Sequence, residues 1–266
     1  MSLLHAVLLG IIEGLTEFFP ISSTGHLIVA ERMMGIREPS VIFNTVIQLG
    51  AILAVVVFYR KIIWEMLHNL FSKEKKRLLF YYGVATIPTL LFGFFVRSYI
   101  AQLHSNVFVV ALTTIVVALF MLYVQRTYAK TLSIGKGEKN WTWEDFFIIG
   151  LFQMISIVPG VSRSGITILG GVVRNISFKD AMQISFLLGI PAMSAASGYE
   201  LFKAFKEPTG IHSNLVLTTS VGFFVSFLVA LSTIYFTLPL FKKYGFTPFI
   251  LYRIVMGVIL LLFFAR

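Results

Sequence analysis

The chain has 266 residues, 57% hydrophobic and only 13% charged, with a net charge of +10 and no cysteine. A soluble domain of this length carries about a quarter charged residues, so a single aqueous core is excluded and much of the surface must face lipid. Disulfide staples and thiolate metal sites are excluded as well. The basic excess is read as loops that fix orientation and touch membrane lipids, not as a nucleic-acid surface.

In chain order, the first element is Ile11 to Ile28, and no secretory cleavage pattern is evident there. It is apolar enough to enter a bilayer, yet it carries Glu13, Glu17, Pro20, His26 and several hydroxyls. Uncharged apolar runs follow at Pro39 to Tyr59, Leu78 to Val96 and about Ser105 to Gln125. After a polar stretch comes Phe146 to Ser162, a doubtful span. Next is a second broken segment, Ile157 to Thr167, in which Pro159, Gly160 and Arg163 interrupt a hydrophobic run. The last runs are Ala181 to Tyr199, about Asn214 to Phe241 and about Thr247 to Ala265. Crossing the hydrocarbon takes about 20 residues, so six of these runs are predicted transmembrane helices.

Non-helical backbone at membrane depth survives only where protein or a watery cavity satisfies it. The two broken segments are therefore predicted to be re-entrant helical hairpins. They resemble each other, since each has a proline just before a serine-rich turn that ends in glycine, at Pro20 to Gly25 and Pro159 to Gly165. Each precedes roughly three spans, as in an internal duplication whose second copy is inverted. The prediction is one all-α polytopic membrane domain, with repeat one at about 1–125 and repeat two at about 146–266. The loop from Arg60 to Arg77 holds six basic residues and that from Arg126 to Asp145 holds four. The positive-inside rule puts both in the cytoplasm, with the first hairpin entering from outside and the second from the cytoplasm. Gly83 and Gly93, and Gly189 and Gly198, mark either close helix packing or a homodimer seam. Their spacing is not the small-xxx-small pattern, which favours packing within the chain.

Glu13 and Glu17 are four apart and share a helix face, where two carboxylates could hold Mg2+ or Ca2+ through oxygen ligands. The plain alternative is a pair of solvated carboxylates in a watery vestibule. His26 stands three residues from Ser23 and four from Ser22, close enough on a helix to meet either hydroxyl and to move a proton or accept a phosphoryl group. Alone it would read as a turn-capping histidine. Arg163, flanked by Ser162 and Ser164 with Thr167 one turn on, offers a guanidinium fork for phosphate oxygens. A helix beginning near Ser164 would aim its positive end at the same place. The alternative is an arginine snorkelling to the headgroups. Together these residues describe a site for a metal-bound polyphosphate.

The stretches from Glu13 to His26 and from Pro159 to Thr167 closely resemble the two signature motifs of the bacterial undecaprenyl-diphosphate phosphatases, the bacitracin-resistance family. Phe186 to Pro191 and Tyr252-Arg253-Ile254 also look like that family. The resemblance implies a divalent-cation-dependent phosphatase of the bacterial inner membrane. Such an enzyme cleaves a polyprenyl diphosphate to the monophosphate and inorganic phosphate, recycles the lipid carrier for peptidoglycan synthesis and confers bacitracin resistance. It implies an inverted repeat with the site open to the periplasmic side. By residue match, Glu13 and Glu17 serve the metal or proton transfer, and Ser23 and His26 are the nucleophile and its partner in either order. Ser22, Ser162, Arg163, Ser164 and Thr167 bind the diphosphate. Attack by Ser23, by His26 or by a metal-bound water all stay open. The rival reading is a lipid-phosphate or anion carrier, which uses the same broken-helix architecture without catalysis. Two serines within reach of a histidine favour the enzyme.

Overall fold

A computed structural model describes residues 1–36, 40–68, 72–103, 106–206 and 213–264. Pro39, Ser105 and Ala265, where three of the expected runs begin or end, lie outside the described residues, as does most of the Lys203 to Ser213 turn.

Among the described residues the regular structure is all helical apart from one isolated bridge between Lys136 and Ile176. The helices are α1 (Leu3–Thr16), α2 (Ser23–Met33), α3 (Val41–Phe58), α4 (Arg60–His68), α5 (Lys73–Leu103) and α6 (Val107–Thr127). Then come α7 (Ala129–Ser133), α8 (Trp143–Ile155), α9 (Arg163–Val173), α10 (Phe178–Lys206), α11 (Ser213–Tyr244) and α12 (Thr247–Phe264). Polar caps set several of the starts. Ser2, Ser40 and Asn106 accept from the amides of His5, Phe43 and Val109, and Thr142 with Asp145 forms a capping box at α8.

Among the described residues, five helices are long and apolar enough to cross a membrane, at Val41–Phe58, Lys73–Val96, Val107–Thr127, Phe178–Ala204 and Leu215–Phe241. Six were expected. The sixth run does form α12, but Thr247–Leu262 ranks among the shorter apolar helices. The doubtful run at Phe146 to Ser162 becomes α8, of 13 residues, which ends where the second turn begins.

Between α1 and α2, and between α8 and α9, the chain stops being helical and restarts. α2 and α9 are both 11 residues long. Each starts from a serine with positive φ, Ser22 at 74° and Ser162 at 75°, a conformation that non-glycine residues hold only when their surroundings enforce it. Each serine hydroxyl accepts from the amide of the glycine three residues on, Gly25 at 3.3 Å and Gly165 at 3.2 Å. Each helix ends on a second positive φ, at Gly35 and Asn175. Ile36 N–H donates to the Glu31 carbonyl and Ile176 N–H to that of Gly171, which closes both helices in the same way. The starts of α1 and α8, α2 and α9, α5 and α11, and α6 and α12 all lie 140 residues apart.

The packing is close where glycine removes a side chain. A Cβ on Gly10 would lie 2.7 Å from the Gly222 carbonyl and one on Gly14 2.7 Å from that of Ser226, so α1 touches α11 backbone to backbone. α8 meets α5 in the same manner, with Gly150 against the Ala85 carbonyl. Of the glycines expected to pack, Gly189 lies against the Arg163 guanidinium and Gly93 touches Ile157, while Gly83 and Gly198 face open space. Packing within the chain therefore does not account for those last two.

At the end of α8 away from its break, the buried Asp145 accepts from Lys136 at 2.5 Å, Arg174 at 2.9 Å and its own cap residue, Thr142. Burial alone would push its carboxyl up. The hydrogen bonds from Lys136, Thr142 and Arg174 outweigh that and hold it below the usual carboxylate range.

Candidate functional site

The two turns meet. Arg163, the first residue of α9, extends its guanidinium to Glu17 at the end of α1, with Nη2 to Oε1 at 2.8 Å and both side chains largely buried. The Ser164 hydroxyl donates to the main-chain carbonyls of Glu17 at 3.0 Å and Phe19 at 3.3 Å. Residues separated by 146 positions in sequence thus form one polar centre inside an apolar bundle. Phe18 closes it on one side, edge-on to Phe186 of α10.

Glu17 has a second partner. Its Oε2 accepts the Ser23 hydroxyl at 2.5 Å, so one carboxylate joins a hydroxyl from the first turn to a guanidinium from the second. Glu13 lies one helical turn back and is buried, within electrostatic range of both Glu17 and Arg163. Its Oε1 has no hydrogen-bond partner, and a buried, unpaired carboxylate oxygen is costly unless a ligand or cation takes it.

Among the described residues, no group of three or more His, Asp or Glu could hold a metal ion, so there is no all-protein cage. The two carboxylates nonetheless fit a magnesium-like ion, which is often held by one or two carboxylates with phosphate oxygens and waters. The orphaned oxygen of Glu13 is the observation that favours the fit.

Arg163 is held from three sides. Nη1 donates to the Ser185 carbonyl at 2.7 Å, Nη2 donates to Glu17 and also reaches Met193 Sδ at 3.1 Å, and the buried Nε–H has no partner. The guanidinium can lie so close to α10 because position 189 is glycine. A Cβ there would fall 2.5 Å from Nη1.

The hydroxyls expected on the diphosphate all have protein partners. Ser22 and Ser162 cap their helices, and Ser164 ties the turns together. Thr167 is buried, donates to the Arg163 carbonyl at 2.7 Å and lies 2.5 Å from the Ser185 hydroxyl.

His26 does not meet Ser23, the partner expected for it. Its Nδ1 lies 2.7 Å from the Ser22 carbonyl and its Nε2 lies 2.6 Å from the Tyr252 hydroxyl on α12. The two rings stack with centroids 5.6 Å apart and planes 11° off parallel. The departure begins at Ser22, whose positive φ turns the chain so that Ser23 faces back toward Glu17.

The residue after Tyr252 was singled out only through the family resemblance, yet it is the largest fully buried side chain. Arg253 donates from Nε to the Thr114 carbonyl, from Nη1 to that of Pro20, and from Nη2 to those of Gly160 and Val161. Pro20 and Gly160 lie 140 positions apart, the same offset as the helix starts. One guanidinium therefore ties matching points of the two turns, supplying donors to backbone that no helix satisfies. No local pattern marks this residue as a clamp. The only signal is an arginine inside an apolar run.

Comparison with known proteins places these features in a family. Residues 6–259 match the family described as bacitracin resistance protein BacA. The chain is 40% identical to an undecaprenyl-diphosphatase of Bdellovibrio bacteriovorus over 98% of its own length and 96% of the relative's. It is 40% identical to one from Methanococcus aeolicus over the full length of both, and 38% identical to one from a Thermoanaerobacter species over 99% and 97%.

Proposed function

The chain belongs to the bacitracin resistance protein BacA family, and on that premise we propose that it is a membrane undecaprenyl-diphosphatase whose single active site is the junction of the two turns. It cleaves the phosphoanhydride of undecaprenyl diphosphate to give undecaprenyl phosphate and inorganic phosphate, which returns the carrier lipid to peptidoglycan synthesis and confers bacitracin resistance. The observation that carries the site assignment is the contact chain Ser23–Glu17–Arg163, which joins a hydroxyl, a carboxylate and an anion-binding fork across the two turns.

In this reading Ser23 Oγ attacks the terminal phosphorus while Glu17 takes its proton. The bond from that phosphorus to the bridging oxygen breaks, and the lipid monophosphate leaves. A water then attacks the phosphoserine, giving inorganic phosphate and returning the proton to Ser23. When Glu17 takes up the proton it loosens its hold on Arg163, just as negative charge is shared out over the phosphate oxygens, and stabilising that charge is the main catalytic term in phosphoryl transfer. The positive end of α9 points at the same place. Glu13 and Glu17 would hold a divalent cation, which would supply Lewis-acid neutralisation of the diphosphate.

The two units from α1 to α6 and from α8 to α12 are, in our reading, inverted-topology repeats, and each α1–α2 or α8–α9 pair is a re-entrant hairpin. The offset of 140 residues between the starts of α1 and α8, α2 and α9, and α6 and α12 supports this. So does the crossed packing, with α1 on α11 and its counterpart α8 on α5. The basic loops lie on the cytoplasmic side and the site opens to the periplasmic side.

The test is phosphate release from undecaprenyl diphosphate by the purified protein, with Mg2+ or Ca2+ and with a chelator. Metal-dependent release that falls sharply in Ser23→Ala and Glu13→Ala is expected. A folded wild type that binds the lipid and releases no phosphate would instead make the carrier reading correct.

A further inference from the structure

We propose that Tyr252 is a positioning residue of this active site, acting through His26; the proposal rests on the phosphatase reading above. A carbonyl oxygen can only accept, so His26 Nδ1, at 2.7 Å from the Ser22 carbonyl, carries the ring proton. In the neutral imidazole Nε2 is then an acceptor, and the Tyr252 hydroxyl at 2.6 Å donates to it. Ser22 and Tyr252 together fix one tautomer and one ring plane. The near-parallel stacking of the two rings holds that plane against rotation.

The phenol is well anchored for this task. Tyr252 precedes Arg253, whose bonds to Pro20, Thr114, Gly160 and Val161 lock α12 against both turns at this height. Tyr252 is 45% exposed, and its hydroxyl and the Ser22 carbonyl hold different nitrogens of His26. Ser23 and Glu17 satisfy each other, which leaves His26 with no partner in that dyad. The molecule therefore carries two hydrogen-bonded pairs at one centre. Glu17 with Ser23 serves the attack on phosphorus. His26 with Tyr252 keeps Nε2 as the unprotonated nitrogen, the one a reacting group meets when the phenol yields its place. Because the hydroxyl is contributed by the last helix, 226 residues from His26, the ring orientation is set by tertiary structure as well as by its own helix.

The test uses the full-length protein in detergent with undecaprenyl diphosphate as probe. Tyr252→Phe keeps the ring stack and deletes one hydrogen bond, so a fall in kcat of about tenfold with KM changed by less than about twofold is expected. A kcat within about twofold of wild type would overturn the proposal. A second readout needs no variant to stay active. In wild-type protein labelled with 15N-histidine, the His26 resonances, assigned by their loss in His26→Gln, should show a protonated Nδ1 and an unprotonated, hydrogen-bonded Nε2. A proton on Nε2 overturns the proposal whether or not Tyr252→Phe folds. Wild type that released no phosphate would remove the phosphatase reading, while the tautomer would still decide what Tyr252 does to His26.

Discussion

Between Glu17 and Ser22 the chain leaves a helix, swings through a left-handed serine and starts an 11-residue helix, and between Ser156 and Ser162 it does the same 140 residues later. The helix starts and ends are shared, down to the capping glycine and the helix-ending positive φ, while within the turn Gly160 has a positive φ where the first turn has Pro20. The side chains are not. Where the first turn is followed by Ser23 and preceded by carboxylates, the second is followed by Arg163, and Glu13 of α1 corresponds to the uncharged Gln153 of α8 at the same offset. One backbone frame, used twice, places a carboxylate and a hydroxyl of the first turn against a guanidinium of the second. Opposite charge is then what lets the two tips approach, since two copies of either tip would repel.

If the first turn makes and breaks bonds while the second binds, variants in the two should fail differently. Ser23→Ala and Glu17→Gln should lower kcat by about 10³-fold or more with lipid binding largely retained. Arg163→Ala should lower kcat/KM by about 10²–10³-fold and weaken lipid binding as well. Steady-state kinetics with a parallel lipid-binding assay checks this, and identical signatures in both turns would break the comparison.

Arg253 is common to both turns, so its loss should injure them together. Arg253→Met leaves the turn carbonyls of Pro20 and Gly160 without their arginine donor, each at a cost of about 1–3 kcal/mol. A lowered melting temperature in detergent and a loss of activity should appear together. Arg253→Lys should recover little of either, because a point charge cannot bridge three separated carbonyls.

A smaller effect separates glycines that look alike in sequence. Gly189→Ala pushes a methyl into the Arg163 guanidinium and should cost about 10- to 100-fold in kcat/KM. Gly83→Ala and Gly198→Ala meet nothing within 4 Å and should leave activity within about twofold.

That pair also shows what was legible beforehand. The multi-pass helical architecture, the two breaks and the polar residues gathered at them follow from apolar run length and from misplaced charge, both of which are local properties. The partners of those residues are not local. Spacing put His26 beside Ser23, but a positive φ at Ser22 redirected the hydroxyl to Glu17, and the imidazole found Tyr252 on another helix. Glycine spacing within single spans pointed to Gly83, Gly93, Gly189 and Gly198, of which only Gly189 is tightly crowded, whereas Gly10, Gly14, Gly50 and Gly150, which it did not mark, are crowded as well. Which glycine is crowded depends on the neighbouring helix, and one span's sequence does not contain that neighbour.

The smallest effect lies far from either turn. Asp145 is held below the usual carboxylate range by Lys136, Thr142 and Arg174 against the opposing pull of burial. Its contribution to stability is therefore present above the unfolded value of about 3.9 and lost as pH falls through its lower folded value. Melting temperature should drop as pH falls below about 4, and Asp145→Asn should flatten that drop while leaving phosphate release at neutral pH within about twofold.

The most direct measurement is to quench turnover of undecaprenyl diphosphate labelled in its terminal phosphate, in acid and separately in alkali, and to map the label by peptide. Label on the peptide carrying Ser23, stable in acid, is expected. Sustained turnover with no label in either quench, or an acid-labile label on His26, would contradict the assignment of bond-making to Ser23 and Glu17.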